Sequence, residues 1–341
     1  MTLVKKGLVL ITCLVLIFGF IGLAALISLD KTLSDTSNVK LWAKQVGFYN
    51  DVLNLASNNI SSSLNNPSLA KKIDPYIAQS LKLTYTRAQF SKDINIIVNA
   101  NYVWLSGKTN KPIFKINFNN LKTSLANILA KDIQGQYEQL PNCNLDQLLT
   151  FNSSDVFAAG CQTSFIGPNK VYKAAVTAIQ NGQIFKNDSL TQDSLVIKDH
   201  RPYYESYKFK GLLTKLRSYI VILAVVLCLL LLWLFASLRK LFKSLLFLGL
   251  SALIAGIVAT LSLVFKAGLI QNLVSVLDKN LSLGLFRSSI VSFVDKMASY
   301  TFNTTFTIGL VYIGFGLLII ILYFITSNRY LLSRLIKNVK S

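Results

Sequence analysis

The chain has 341 residues, 52% of them hydrophobic and 15% charged, with 35 Lys and Arg against 15 Asp and Glu for a formal charge of +20. The basic excess invites a nucleic-acid partner, but its distribution excludes one. It divides between short segments beside apolar runs and single residues scattered over one long polar segment, where no basic run exceeds the pair Lys71 and Lys72.

Residues 1–6 carry Lys5 and Lys6 and precede the first of four apolar runs, at 7–29, 218–236, 244–265 and 306–326. None of the four contains Asp, Glu, Lys, Arg or His. Runs of this length span a hydrocarbon core of ~30 Å as helices, since lipid leaves the backbone to satisfy its own hydrogen bonds. The first run is longer than a signal-peptide core and lacks a small-residue cleavage site, so it reads as an uncleaved anchor. Nine basic residues and no acidic ones lie in 1–6, in the loop 237–243 (Arg239, Lys240, Lys243) and in the tail 327–341 (Arg329, Arg334, Lys337, Lys340). Positive residues in short loops stay inside, so both termini are expected in the cytoplasm of a plasma (inner) membrane. Segments 30–217 and 266–305 are then extracytoplasmic.

Segment 30–217 is long enough to bury its own core. Apolar residues from Leu33 to Leu53 keep helical spacing, so the first span is expected to continue outward as a stalk helix over 29–57. Residues 58–68 read as a linker in which Asn66 and Pro67 close that helix. Phe90, Ile94, Ile97, Val98, Tyr102 and Leu105 share one helix face, and Gly107 is placed to stop it. Asp93 lies on this helix with no second acid three or four residues on. Residues 113–118 partly alternate and predict a short strand. Leu121, Leu125, Ile128, Leu129 and Ile133 mark another helix, ended before Pro141. Pro168 can open a helix over 171–183, and 194–198 can form a second strand. The fold class is therefore mainly α: four transmembrane helices plus a mostly helical extracytoplasmic domain with little β.

Cys143 and Cys161 are the two cysteines of this domain, and an even pair in an oxidising compartment suggests a disulfide. Closing that loop stabilises by roughly 3 kcal/mol in the chain-entropy treatment. The chain's single histidine, His200, leaves two thiols without the ligands of a structural zinc site. With Arg201, Tyr203 and Tyr204, His200 reads as an interfacial belt near the second span. Gly107, Lys108 and Thr109 resemble the end of a phosphate-binding loop, but the earlier glycine is replaced by Tyr102, so a helix cap and turn is expected. The sequons at Asn59, Asn152, Asn187, Asn280 and Asn303 read as chance occurrences in an Asn- and Ser-rich chain. In 266–305, Leu269, Ile270, Leu273, Val276 and Leu277 form one apolar face, and Ile290, Phe293, Val294 and Met297 form another. Two short amphipathic helices broken at Gly284 are expected, packing under the large domain rather than lying on the membrane surface.

Residues Tyr102 to Thr109, then Lys111 to Ile116, then Leu140-Pro141-Asn142-Cys143 and Cys161 resemble a pattern in bacterial multi-pass membrane proteins that share a W-L-x-G-K-T…P-x-F-x-I core and an L-P-x-C turn. The resemblance covers about 60 residues of the extracytoplasmic domain. It implies a bacterial envelope protein with paired cysteines and implies no activity. Gln162 and Thr163 stand where that pattern has Arg-Pro. The order of spans is similar to that of FtsX- and MacB-like permease subunits, although the seven-residue cytoplasmic loop and six-residue N-terminal segment are shorter. No acid–base pair, nucleophile elbow, zinc-protease motif or cofactor box is found. The expected function is therefore a non-enzymatic integral membrane protein without cofactors, in contact with the lipid bilayer. Its extracytoplasmic domain binds an envelope protein or anionic polymer, or acts as a scaffold. The alternative is a transmission subunit coupled to a cytoplasmic ATPase.

Overall fold

The structure is a computed structural model that describes residues 3–152, 155–182, 188–195, 201–205, 209–238, 241–281 and 286–339. Its architecture is mainly α. Helix α1 (Leu3–Ser34) overruns the first apolar run at both ends. Its hydroxyls turn back on their own backbone, Ser28 to the Ala24 carbonyl at 2.8 Å and Thr32 to that of Ser28 at 2.7 Å. The expected continuous stalk is instead broken twice. The Asp35 carboxylate accepts the amide N–H groups of Ser37 and Asn38 and starts a new helix, α2 (Thr36–Gln45). Gly47, at φ 92°, then turns the chain into α3 (Phe48–Ser62).

The expected linker at 58–68 is also corrected. Helix α3 runs through Asn58 to Ser62, and Asn66 and Pro67 open a helix rather than close one. The Asn66 side chain accepts the Leu69 N–H at 2.8 Å, and Pro67 occupies the first turn of α4 (Pro67–Thr84), where its missing N–H costs nothing. The stripe Leu69, Ile73, Ile77 and Leu81 buries one face of this helix. Thr86 caps α5 (Arg87–Leu105), which ends before Gly107 at φ 78°. A two-stranded antiparallel sheet pairs β1 (Lys115–Asn117) with β2 (Ser189–Thr191), Ile116 facing Leu190. The second strand thus lies earlier than 194–198. Gln192–Ser194 is a 3₁₀ turn, and 196–198 lie outside the described residues.

Helix α6 (Asn119–Glu138) and α8 (Pro168–Gln180) form where the spacing and Pro168 place them, with the short α7 (Leu145–Leu149) between. The core of this head domain is the meeting of α4, α6 and α8, where Leu69, Ile73, Leu125, Leu129, Val171 and Ile179 are buried. Cys143 and Cys161 sit at disulfide distance, with Cα atoms 4.9 Å apart. The Gln162 side-chain amide donates to the carbonyls of Glu138 (2.8 Å) and Leu140 (2.9 Å). It therefore satisfies the exposed end of α6, a capping role for the residue that departs from the Arg-Pro pattern.

Four more helices follow among the described residues. Helix α9 (Leu212–Leu238) is followed by α10 (Leu241–Leu261), so helix reaches into both ends of the loop expected at 237–243; Arg239 and Lys240 lie outside the described residues. A 3₁₀ turn (Ser262–Phe265) leads into α11 (Lys266–Leu281), and α12 (Arg287–Val339) runs 53 residues, about 80 Å at 1.5 Å per residue. The second amphipathic segment is thus no separate helix but the start of α12. Between Arg287 and Phe306 there is neither proline nor glycine, and Thr301, Thr304 and Thr305 bond back to carbonyls four residues earlier. Gly284 lies outside the described residues. The packing expectation divides: Phe293 of α12 meets Trp42 and Phe48, whereas Leu269, Leu273 and Val276 of α11 remain about half exposed.

Helices α1, α9, α10 and α12 are long and apolar enough to cross a membrane, the third candidate span reaching through the 3₁₀ turn into α11. Helices α10 and α12 approach most closely. Gly249 and Gly256 of α10 face Gly316 and Gly309 of α12, and a Cβ on Gly256 would sit 2.7 Å from the Gly309 carbonyl oxygen. Small residues permit this backbone contact. The head domain is fastened to these helices by Gln45 with Lys296 (3.1 Å) and by the Ser106 carbonyl with Thr214 (2.8 Å), and at its base the helices are tied to one another by Asp30 with Arg217 (3.2 Å) and Thr32 with Thr301 (2.9 Å).

Candidate functional site: an apolar cavity ending at Asp93

The central core of the head domain does not close on the side where α3, α5 and the hairpin meet. A partly enclosed cavity of about 290 Å³ remains there. Helix α3 contributes Val52, Leu53, Ala56 and Ile60, and α4 contributes Leu81. Helix α5 contributes Phe90, Ile94 and Ile97, and the hairpin and α6 close the wall with Ile116, Leu190, Leu121 and Leu125. The two polar residues of the lining are Tyr85 and Asp93.

Local sequence places that pair. Thr86 accepts the Gln89 N–H at 3.2 Å and fixes the start of α5. Four residues after Gln89, on the same face, comes Asp93. Gln89 Nε2 donates to Asp93 Oδ1 at 2.9 Å, and Tyr85 Oη, from just before the cap, donates to Oδ2 at 2.9 Å. Tyr49 holds Tyr85 in turn, donating its hydroxyl to the Tyr85 carbonyl at 2.8 Å. The Arg87 guanidinium lies 5.4 Å from the Tyr49 ring centroid. Asp93 is 4% exposed. Burial raises its carboxyl above the ordinary carboxylate range, against the pull of its bonds to Tyr85 and Gln89. Burial also raises the Tyr85 phenol, and the neighbouring Asp93 charge adds to that.

Chemically, this is an apolar slot with one anchored acceptor. The hydroxyl proton of Tyr85 and one amide proton of Gln89 are both committed to Asp93, whose two oxygens keep acceptor capacity.

The residues singled out from sequence fall elsewhere. Cys143 and Cys161 come together beside the end of α6, where Tyr137 donates to the Ile166 carbonyl (2.9 Å) and accepts the Thr163 N–H (3.0 Å); neither cysteine lines the cavity. Gly107 caps α5 and approaches Gly211 closely, a Cβ there lying 3.5 Å from the Gly211 Cα, so Gly107 to Thr109 form a helix end and turn at the base of the head domain. His200 and Asn187 lie outside the described residues; Tyr203, from the expected interfacial belt, donates to Asn101 at 2.8 Å and packs on Trp104. Sequence reasoning noticed Asp93 but missed Tyr85 and Gln89. The available signal was the Q-x-x-x-D spacing behind a threonine cap.

The fold defines a mainly α protein with four helices fit to cross a membrane and a helical head domain carrying an apolar cavity. No family model matches the chain, and neither a curated protein nor a solved structure matches it.

Proposed function

We propose that the protein is a non-enzymatic, membrane-anchored binding protein of the bacterial envelope, whose extracytoplasmic domain receives an apolar group of its partner in the cavity ending at Asp93. The observation that carries this reading is the cavity. The cavity is partly open, about 290 Å³, and walled almost wholly by aliphatic and aromatic side chains. An apolar group entering it leaves water at a gain of roughly 25 cal/mol per Å² buried. The distribution of basic residues supports an orientation with both termini in the cytoplasm and the head domain outside, where Cys143 and Cys161 form their disulfide.

The reading is tested by photolabelling the full chain in lipid nanodiscs with a diazirine-bearing alkyl probe. Label is expected on peptides containing Ile94, Ile97 and Leu125 as well as on the apolar spans. Label confined to the spans contradicts it.

One observation favours a second reading, a transmission subunit coupled to a cytoplasmic ATPase. Helix α12 is unbroken from its contacts with Trp42 to its C-terminal end, a rigid connection from head domain through the apolar region. Co-purification of a stoichiometric cytoplasmic ATPase from native membranes would establish that role. Its absence leaves the binding role alone.

A further inference from the structure

Resting on the binding reading, we infer that the occupant is a single hydrocarbon chain of roughly a dozen carbons whose uncharged hydroxyl head donates a hydrogen bond to the Asp93 carboxylate. Size comes first. A dry cavity of ~150 Å³ accepts one benzene, so about 290 Å³ takes roughly twice as many carbons. Shape follows from the walls. The lining on α3 runs two turns, from Val52 to Ile60, about 12 Å at 1.5 Å per residue. A continuous apolar wall along one helix accommodates an extended chain.

The head group follows from counting donors and acceptors. Tyr85 and Gln89 already spend protons on Asp93, so the lining asks its ligand for a donor. A carboxylate head offers none and brings a second negative charge against Asp93 in a low-dielectric site. A quaternary ammonium has no proton to give. A primary ammonium must be desolvated together with the carboxylate, which is costly for both. A hydroxyl meets the requirement without burying a second charge.

The experiment is competition against the diazirine alkyl probe on the full chain in nanodiscs at pH 7, with dodecanol, dodecanoate and dodecylamine as competitors. Dodecanol is expected to protect the Ile94–Ile97 peptide at a concentration at least tenfold lower than either charged analogue. In Asp93→Asn the advantage over dodecanoate should shrink to within about threefold, because the repelling charge is gone. In Ile97→Trp, which fills the slot with an apolar side chain, labelling of that peptide should disappear while circular dichroism stays unchanged. Dodecanoate or dodecylamine competing as well as dodecanol in the unmodified chain overturns the head-group assignment and leaves the binding reading standing. Labelling that is absent, or that persists in Ile97→Trp, overturns both.

Discussion

Replacing Gly256 with alanine tests how α10 and α12 are held together. In an ordinary helix, Gly→Ala gains about 1 kcal/mol from propensity. Here the new Cβ would lie 2.7 Å from the Gly309 carbonyl oxygen and 2.8 Å from the Ile313 backbone nitrogen. Backbone atoms of a packed helix cannot rotate aside, so the helices must separate. Overpacking of this kind costs about 1–3 kcal/mol, so after the propensity gain the net loss should be about 0–2 kcal/mol. Gly314, on the facing helix α12, has nothing within 4 Å of its hypothetical Cβ. Gly314→Ala should therefore be neutral or gain up to about 1 kcal/mol. Equilibrium unfolding of both variants in one detergent reads the difference directly. Gly256→Ala as stable as Gly314→Ala would refute the direct backbone contact of α10 with α12.

Three further outcomes follow from the head domain. Asp155 ties the start of α4 to the following turn; burial raises its carboxyl, but bonds from Asn66, Ser68 and the Phe157 and Ala158 amides bring it below the ordinary range. A depressed carboxyl stabilises above its unfolded value of about 3.9 and loses that contribution as pH falls through the lower folded value. Asp155→Asn should thus remove about 1 kcal/mol at pH 7 and flatten the acid limb of a stability–pH curve; an unchanged limb contradicts it. Asp93 has the opposite sign. Its raised carboxyl favours the fold below about pH 4 and loses that contribution as pH rises through the folded value. Asp93→Asn should be at least as stable as the parent at pH 8 and show its relative disadvantage at pH 4, by chemical denaturation at both. Tyr137→Phe removes the acceptor of the Thr163 N–H and the donor to the Ile166 carbonyl, both buried, and should cost about 1–3 kcal/mol in thermal unfolding with Cys143 and Cys161 still paired; a loss below 0.5 kcal/mol (roughly the scatter of surface changes) argues against it.

Much of the architecture was legible because its signals are local. Charge-free runs near 20 residues mark the apolar helices, and Leu121 to Ile133, ended before Pro141, and the segment opened by Pro168 mark helices whose periodicity and proline boundaries agree. The stalk misled because the apolar spacing from Leu33 to Leu53 continues across two breaks set by single residues, Asp35 and Gly47. Asn66 with Pro67 misled because the same dipeptide closes one helix or opens the next, and the stripe from Leu69 to Leu81 was the signal that decides. Strand β2 is three residues long and exists only through its pairing with β1, so its position depends on tertiary contact. The seven-residue spacing of Gly249 with Gly256 and of Gly309 with Gly316 was readable, although which helices it joined was not. The cavity is the least legible feature. It lies where faces of α3, α4, α5, α6 and the hairpin fail to meet, and every aliphatic residue lining it looks like ordinary core in the sequence. Tyr85 reaches Asp93 across the Thr86 cap, a contact that helix spacing does not encode.

The occupancy of that cavity is measured most directly by extracting the full chain, purified from its native membranes, with organic solvent and quantifying what it releases by mass spectrometry beside Ile97→Trp prepared identically. The account predicts about one equivalent of a single-chain, hydroxyl-bearing amphiphile per chain from the parent and none above annular lipid from the variant. Identical extracts from the two proteins would contradict it.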